Sequence, residues 1–242
     1  MQDLITQLQN MFFKPSLWDR YGGKIVYEGL VTTLELVGIT FTLGACLGMM
    51  IALAYLSRSK ILRGFARGYI YFFRGSPLLA QLYLFYYGLG AFKPFWDQLS
   101  LWWFFGNAWY CCLTIFTLNT AAYQAEIFRG SLMSVPLGQR EACHALSLDQ
   151  KIAFTRVILP QALMMALRPL GNEFILLIKS SALASLITIF DLMGMTRVAY
   201  SRSYNFQVYL WAAVFYLIIV EVARRLIMVM ERRLTRHIQV HT

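Results

Sequence analysis

Polar and charged side chains stand inside long apolar runs of this sequence, and their spacing sorts them into sets. Asn119, Tyr123 and Glu126 follow one another at i, i+4 and i+7, which places them on one face of a helix. Asn172, Glu173 and Lys179 fall in a second run, where Asn172 and Lys179 share a face and Ser180 and Ser181 follow. At a helical rise Lys179 lies roughly 14 Å into its run. An ionisable group at such depth is costly and marks a functional site by default. These groups can line a passage and offer hydrogen-bonding, partly charged contacts to a polar solute. Equally, they can satisfy one another, Lys179 pairing with Glu126 or Glu173 and Asn119 bridging helices. The residues alone leave both readings open. Arg74, Gly75 and Pro77 form a third set, whose composition breaks a helix and suits a gate hinge.

Covalent chemistry finds little support. The sequence has no G-x-x-x-x-G-K-[ST] phosphate loop, no H-E-x-x-H and no zinc-ligand spacing. Cys46, Cys111, Cys112 and Cys143 include no C-x-x-C pair, and His144, His237 and His241 form no ligand-spaced group. The expectation is binding and passage without catalysis, and no cofactor or metal held by this chain.

The elements that must position these residues are membrane spans. Of 242 residues, 58% are hydrophobic and 14% charged, where a soluble domain carries about 25% charged. A net charge of +10 raises the question of nucleic acid. The basic residues, however, sit between apolar runs rather than on one polar domain, so lipid and not nucleic acid is the partner they imply. Five spans are expected, over about 30–56, 68–90, 107–128, 171–194 and 206–229. Residues 1–29 read as an interfacial segment without a cleaved signal peptide, and 230–242 as a tail. Lys14, Arg20, Lys24, Lys93, Arg197 and Arg202 fall in one set of connections. The alternate set holds Arg58, Lys60, Arg63 and Arg67, then Arg129, Arg140, Lys151, Arg156 and Arg168, then Arg224, Arg225, Arg232, Arg233 and Arg236. That excess puts the N-terminus outside and the C-terminus in the cytoplasm. Trp96, Trp102, Trp103 and Trp109 then mark the outer interface. Gly44 and Gly48 form a G-x-x-x-G pair, either a close helix contact or two ordinary small residues.

The connection over 129–168 is cytoplasmic in this topology and reads as a helical hairpin. Pro136 suits a helix start, Ser147-Leu-Asp is turn-like, and Asp149 favours the start of a second helix through its charge. Ile152, Phe154, Val157 and Ile158 should supply the apolar contacts, and Pro160 should close or kink that helix.

The order of residues in 141–160 resembles the coupling motif of permease subunits of ATP-binding-cassette importers: Glu-Ala-Ala, three residues, Gly, nine residues, Ile-x-Leu-Pro. Glu141, Ala142, Leu159 and Pro160 match directly, Cys143 replaces an alanine and Val157 an isoleucine. Ser147 stands where the motif has glycine, and a positive φ there would strain a serine. FRGSPLLAQLYLFYYG (73–88), TLNTAAYQAEIFRGSL (117–132) and NEFILLIKSSALAS (172–185) are similar to the polar amino acid branch, most of all to M-type subunits for histidine, basic amino acids and opines. The resemblance covers nearly the whole chain. It implies an all-α integral membrane protein of the type I importer permease fold in the bacterial cytoplasmic (inner) membrane. It further implies a homologous second permease subunit (a heterodimer more readily than a homodimer), two ATP-binding subunits that hold ATP and Mg, and a periplasmic solute-binding protein. A short helix at Glu141, Ala142 and Cys143 would insert into a groove on the ATPase. The rival readings are an ion-gradient-driven secondary transporter, against which the lack of an internal repeat speaks, and a membrane scaffold.

Overall fold

The computed structural model describes residues 15–234, and they are helical with no strand among them. The first fourteen residues of the expected N-terminal segment lie outside the described residues, as do 235–242 of the expected tail with His237 and His241. The main helices are α1 (Val31–Leu56), α2 (Lys60–Gly75), α3 (Leu78–Tyr83), α4 (Ala108–Ser134), α5 (Leu137–Ala145), α6 (Leu159–Ser180), α7 (Leu192–Ser203) and α8 (Gln207–Leu234). Contacts divide the chain into two compact units.

The first unit comprises Met1–Ile39, Leu79–Ile115 and Leu176–Val222. The N-terminal segment is not separate from the first span: Pro15–Leu17 leads through π-helical turns at Trp18–Gly22 and Ile25–Leu30 into α1. Packing explains the continuity. Ile25 is buried against Leu192, Met195 and Ala199 of α7, and the Trp18 ring meets Trp211 edge-on at 5.2 Å. Gly29 permits the close approach, because a Cβ there would stand 2.9 Å from the Leu192 Cα. One turn on, the buried Thr33 hydroxyl accepts the Leu192 N–H at 3.0 Å.

The region 171–194 is likewise not one helix. After α6 the chain tightens into a 3₁₀ helix, Ser181–Ile187, and Thr188 turns left-handed at φ 67. Asp191 then starts α7 as its N-cap, its carboxylate accepting the Gly194 N–H at 2.8 Å. The apolar composition continues across this corner, so composition hides it.

The second unit comprises Thr40–Leu78, Phe116–Ile175 and Ala223–Thr242. Here α1 and α4 pack closely: a Cβ on Gly48 would lie 2.9 Å from the Ala121 carbonyl oxygen and 3.1 Å from the Ala125 nitrogen. The Gly44/Gly48 pair therefore serves a contact within the chain. The stretch 68–90 is interrupted, for α2 stops at Gly75 and Ser76 is extended at φ −115, ψ 146. Pro77 causes this, since its ring excludes the helical conformation from the residue before it.

By length and composition, Ile25–Leu56 and Gln150–Ile187 can each cross a membrane. The 27 residues of α4 and 28 of α8 also exceed the ~20 a bilayer needs, but carry more polar residues. In α4 these turn inward: Asn119, Thr120 and Gln124 are buried.

Candidate functional site

Two constellations emerge, both in the second unit. The first is the hairpin. The Arg140 guanidinium donates to the Leu132 carbonyl at 2.9 Å and holds α5 against the end of α4. Beneath it Leu132, Val135 and Ala162 form a small core with Phe154 and Ile158. Turning between the helices falls to Ser147, which has φ 51. Its N–H donates to the His144 carbonyl at 2.9 Å, and the Leu148 N–H reaches back to Cys143 at 3.0 Å. That pair of bonds is a Schellman closure, in which the left-handed position usually belongs to glycine. The serine thus adopts the glycine conformation that its place in the motif called for. Asp149 begins the next helix, its carboxylate accepting the Lys151 N–H at 3.0 Å.

The motif residues divide by exposure. Glu141, Ala142 and Ser147 face outward, Cys143 is buried, and Val157 and Leu159 are half-buried. Leu137, one turn before Glu141, and Leu146, one turn after Ala142, are 73% and 72% exposed, so each exposed motif residue has an exposed apolar neighbour. One expectation fails here. Ile152 is 50% exposed and does not join the hairpin core. Of the two outcomes expected at Pro160, closure is excluded, since α6 continues through it and through Pro169. A π-helical turn, Ala153–Ile158, precedes Pro160, with the Leu159 N–H bonded five residues back to Phe154. The wider turn makes room for the ring that an α-helical turn would reject.

The second constellation joins α4 to α2. Asn119 donates to the Phe73 carbonyl at 3.0 Å, and the Arg74 guanidinium lies over the Tyr123 ring at 5.2 Å. Glu126 is engaged by Arg129 through two contacts, one of them Nε to Oε2 at 3.0 Å. Arg67 and Arg129 both face the Tyr55 ring, at 5.2 and 5.0 Å. Together Tyr55, Arg67, Arg74, Gly75, Tyr123 and Glu126 line an open groove of about 450 Å³. It offers guanidinium groups for a carboxylate, and one carboxylate and tyrosine faces for a cation.

Other expected site residues lie elsewhere. Glu173 accepts from the Thr120 hydroxyl at 3.1 Å and does not line the groove. Asn172 and Lys179 are both exposed. Sequence reasoning missed Tyr55, Arg67 and Arg129 as site residues, taking the two arginines only as orientation charges. Their spacings were a usable signal: Arg67 and Arg74 are seven residues apart on α2, and Glu126 and Arg129 three apart on α4.

An all-helical chain with inward polar residues and a presented, motif-bearing hairpin has the architecture expected of a transport permease. Residues 44–236 match the family described as binding-protein-dependent transport system inner membrane component, and the chain belongs to that family. It is 39% identical over 209 residues to the nopaline transport system permease protein NocM of Agrobacterium fabrum, covering 86% of this chain and 87% of that one. The octopine transport system permease protein OccM of Rhizobium radiobacter is 40% identical over 223 residues, 91% of this chain and 90% of its own. The arginine ABC transporter permease protein ArtM of Haemophilus influenzae is 35% identical over 210 residues, 86% and 92% of the two chains. Among solved structures, an amino acid ABC transporter with histidines superposes at TM-score 0.80 and 32% identity, covering 92% of this chain and all of that one. The inward-facing MetNI methionine ABC transporter shares the fold, at TM-score 0.70 and 20% identity over 92% and 99% of the two chains. The chain is thus a permease subunit of an importer, and its fold is the type I importer permease fold.

Proposed function

We infer that this subunit forms half of the translocation pathway of an ATP-driven importer for polar or basic amino acids or opines. The observation that carries the energy coupling is the hairpin: Glu141 and Ala142 are exposed, each with an exposed leucine one turn away, Leu137 and Leu146, and the turn at Ser147 is closed. Such a surface fits a groove on a separate ATP-binding subunit, which holds ATP and Mg. The lysine and arginine asymmetry supports a cytoplasmic hairpin, an outer N-terminus and a bacterial inner-membrane location. Two ATP-binding subunits, a homologous second permease and a periplasmic solute-binding protein complete the assembly. Similarity to M subunits favours a heterodimer.

The groove around Arg74, Tyr123 and Glu126 supports the substrate class, because a zwitterion with a basic side chain needs both signs of charge and a ring face. Asn119, Asn172, Glu173 and Lys179 stand as further pathway residues, and the break at Gly75–Pro77 as the gate hinge. Reconstitution with the partner subunits tests this: vesicles should take up labelled arginine, histidine or octopine when the binding protein and internal ATP are present. Uptake driven by a proton gradient without any ATPase contradicts the reading.

A further inference from the structure

Positive charge collects where the orientation count expects little of it. Of the six cations assigned to the outer connections, Arg20, Lys24 and Arg202 line one notch of about 340 Å³ in the first unit. Arg20 and Lys24 come from the helical approach to α1, four residues apart, and Arg202 from the last turn of α7. None of the three forms an ion pair among the described residues, although Glu28 lies in the same notch. The notch is a built feature. The packing of Ile25 on α7, the close approach at Gly29 and the Thr33 bond to Leu192 fix its two walls.

Its remaining lining is apolar and includes Phe190, 57% exposed, with Met195 and Val198. Beside it, at the end of α7, the Tyr200 ring meets Phe206 at 5.1 Å and Tyr209 at 5.2 Å, while Tyr204 and Phe206 are 80% and 70% exposed. Exposed amphipathic rings gather at headgroup depth, and the stretch able to cross a membrane begins at Ile25, within the notch. Cations, rings and an apolar wall side by side fit a single kind of occupant.

We propose that this notch binds an anionic glycerophospholipid, its phosphate held by Arg20, Lys24 and Arg202 and its glycerol and upper acyl chain against Phe190, Met195 and Val198. A free phosphate makes no use of the apolar wall, and neither does an acidic side chain of a docking protein. Which leaflet supplies the lipid follows from the orientation inferred above; the site itself does not depend on that orientation or on transport.

The test uses the assembled transporter in vesicles of equal phosphatidylglycerol and phosphatidylcholine, with native mass spectrometry of the lipids it retains. A basic residue at a membrane surface contributes about a fivefold preference for an anionic lipid. The wild type should therefore enrich phosphatidylglycerol at least roughly fivefold. The Arg20→Gln/Lys24→Gln/Arg202→Gln variant should lose the enrichment, and Arg20→Lys/Arg202→Lys should keep it. Melting in phosphatidylcholine alone should be the same for all three proteins. Equal retention of both lipids by the wild type overturns the proposal, as does enrichment that survives the triple substitution. Displacement of the lipid by millimolar inorganic phosphate also overturns it. So does a triple variant that keeps its lipid but loses stimulation of ATP hydrolysis by the solute-binding protein, since the notch then serves protein docking.

Discussion

Ser147 holds a left-handed backbone conformation that costs an L-residue about 1–2 kcal/mol, and it does so to close the turn beneath Glu141 and Ala142. Ser147→Gly should therefore raise the thermal midpoint of the purified subunit while leaving uptake intact. Ser147→Val should lower it, because a β-branched residue tolerates positive φ least. The Glu126–Arg129 pair is partly exposed, at 31% and 23% of the two side chains, and pairs of this kind contribute about 1 kcal/mol or less. Glu126→Gln should accordingly leave the melting curve nearly unchanged and yet reduce uptake of basic substrates, which radiolabel assays would read. Much of this scale was legible in the sequence. The glycine position of the motif announced the positive φ at Ser147, and helical spacing put Tyr123 and Glu126 on one face. Tyr55 was not legible, because its two cation contacts come from α2 and α4 and only tertiary packing brings them together.

Among the elements, the contact between α1 and α4 is set by Gly48. Its added Cβ would meet backbone atoms at 2.9 and 3.1 Å, which cannot move aside as the end of a side chain can. Gly48→Ala should destabilise the fold by about 1–3 kcal/mol, whereas Gly38→Ala, whose added Cβ would meet no atom within 4 Å, should not destabilise it; paired thermal melts compare them. The break between α2 and α3 could be read from Pro77, since a proline constrains the residue before it wherever it stands. The corner at 188–191 escaped reading because its apolar content continues and the helix ends by tightening to 3₁₀. At Pro160 the sequence left closing and kinking both open, and the π-turn before it, which composition does not show, lets the helix run on.

For the whole molecule, composition sufficed to place the chain in a membrane, and the motif sufficed to suggest an external source of energy. Plain apolarity was a weaker guide to the individual spans, because α4 buries Asn119, Thr120 and Gln124 within its own unit. The central claim is that the outward face of α5 couples this permease to a separate ATPase, and Glu141 is its charged member. Losing a hydrogen bond to a charged group costs about 1.5–3 kcal/mol, roughly ten- to a hundredfold in affinity. The most direct measurement is co-purification of the ATP-binding subunit with wild-type and Glu141→Ala permease, together with ATP-dependent uptake by each. The substitution is on an exposed residue, so the variant should melt like the wild type while retaining roughly tenfold less ATPase and losing uptake in proportion. A Glu141→Ala subunit that binds its ATPase and transports as the wild type does would contradict the account.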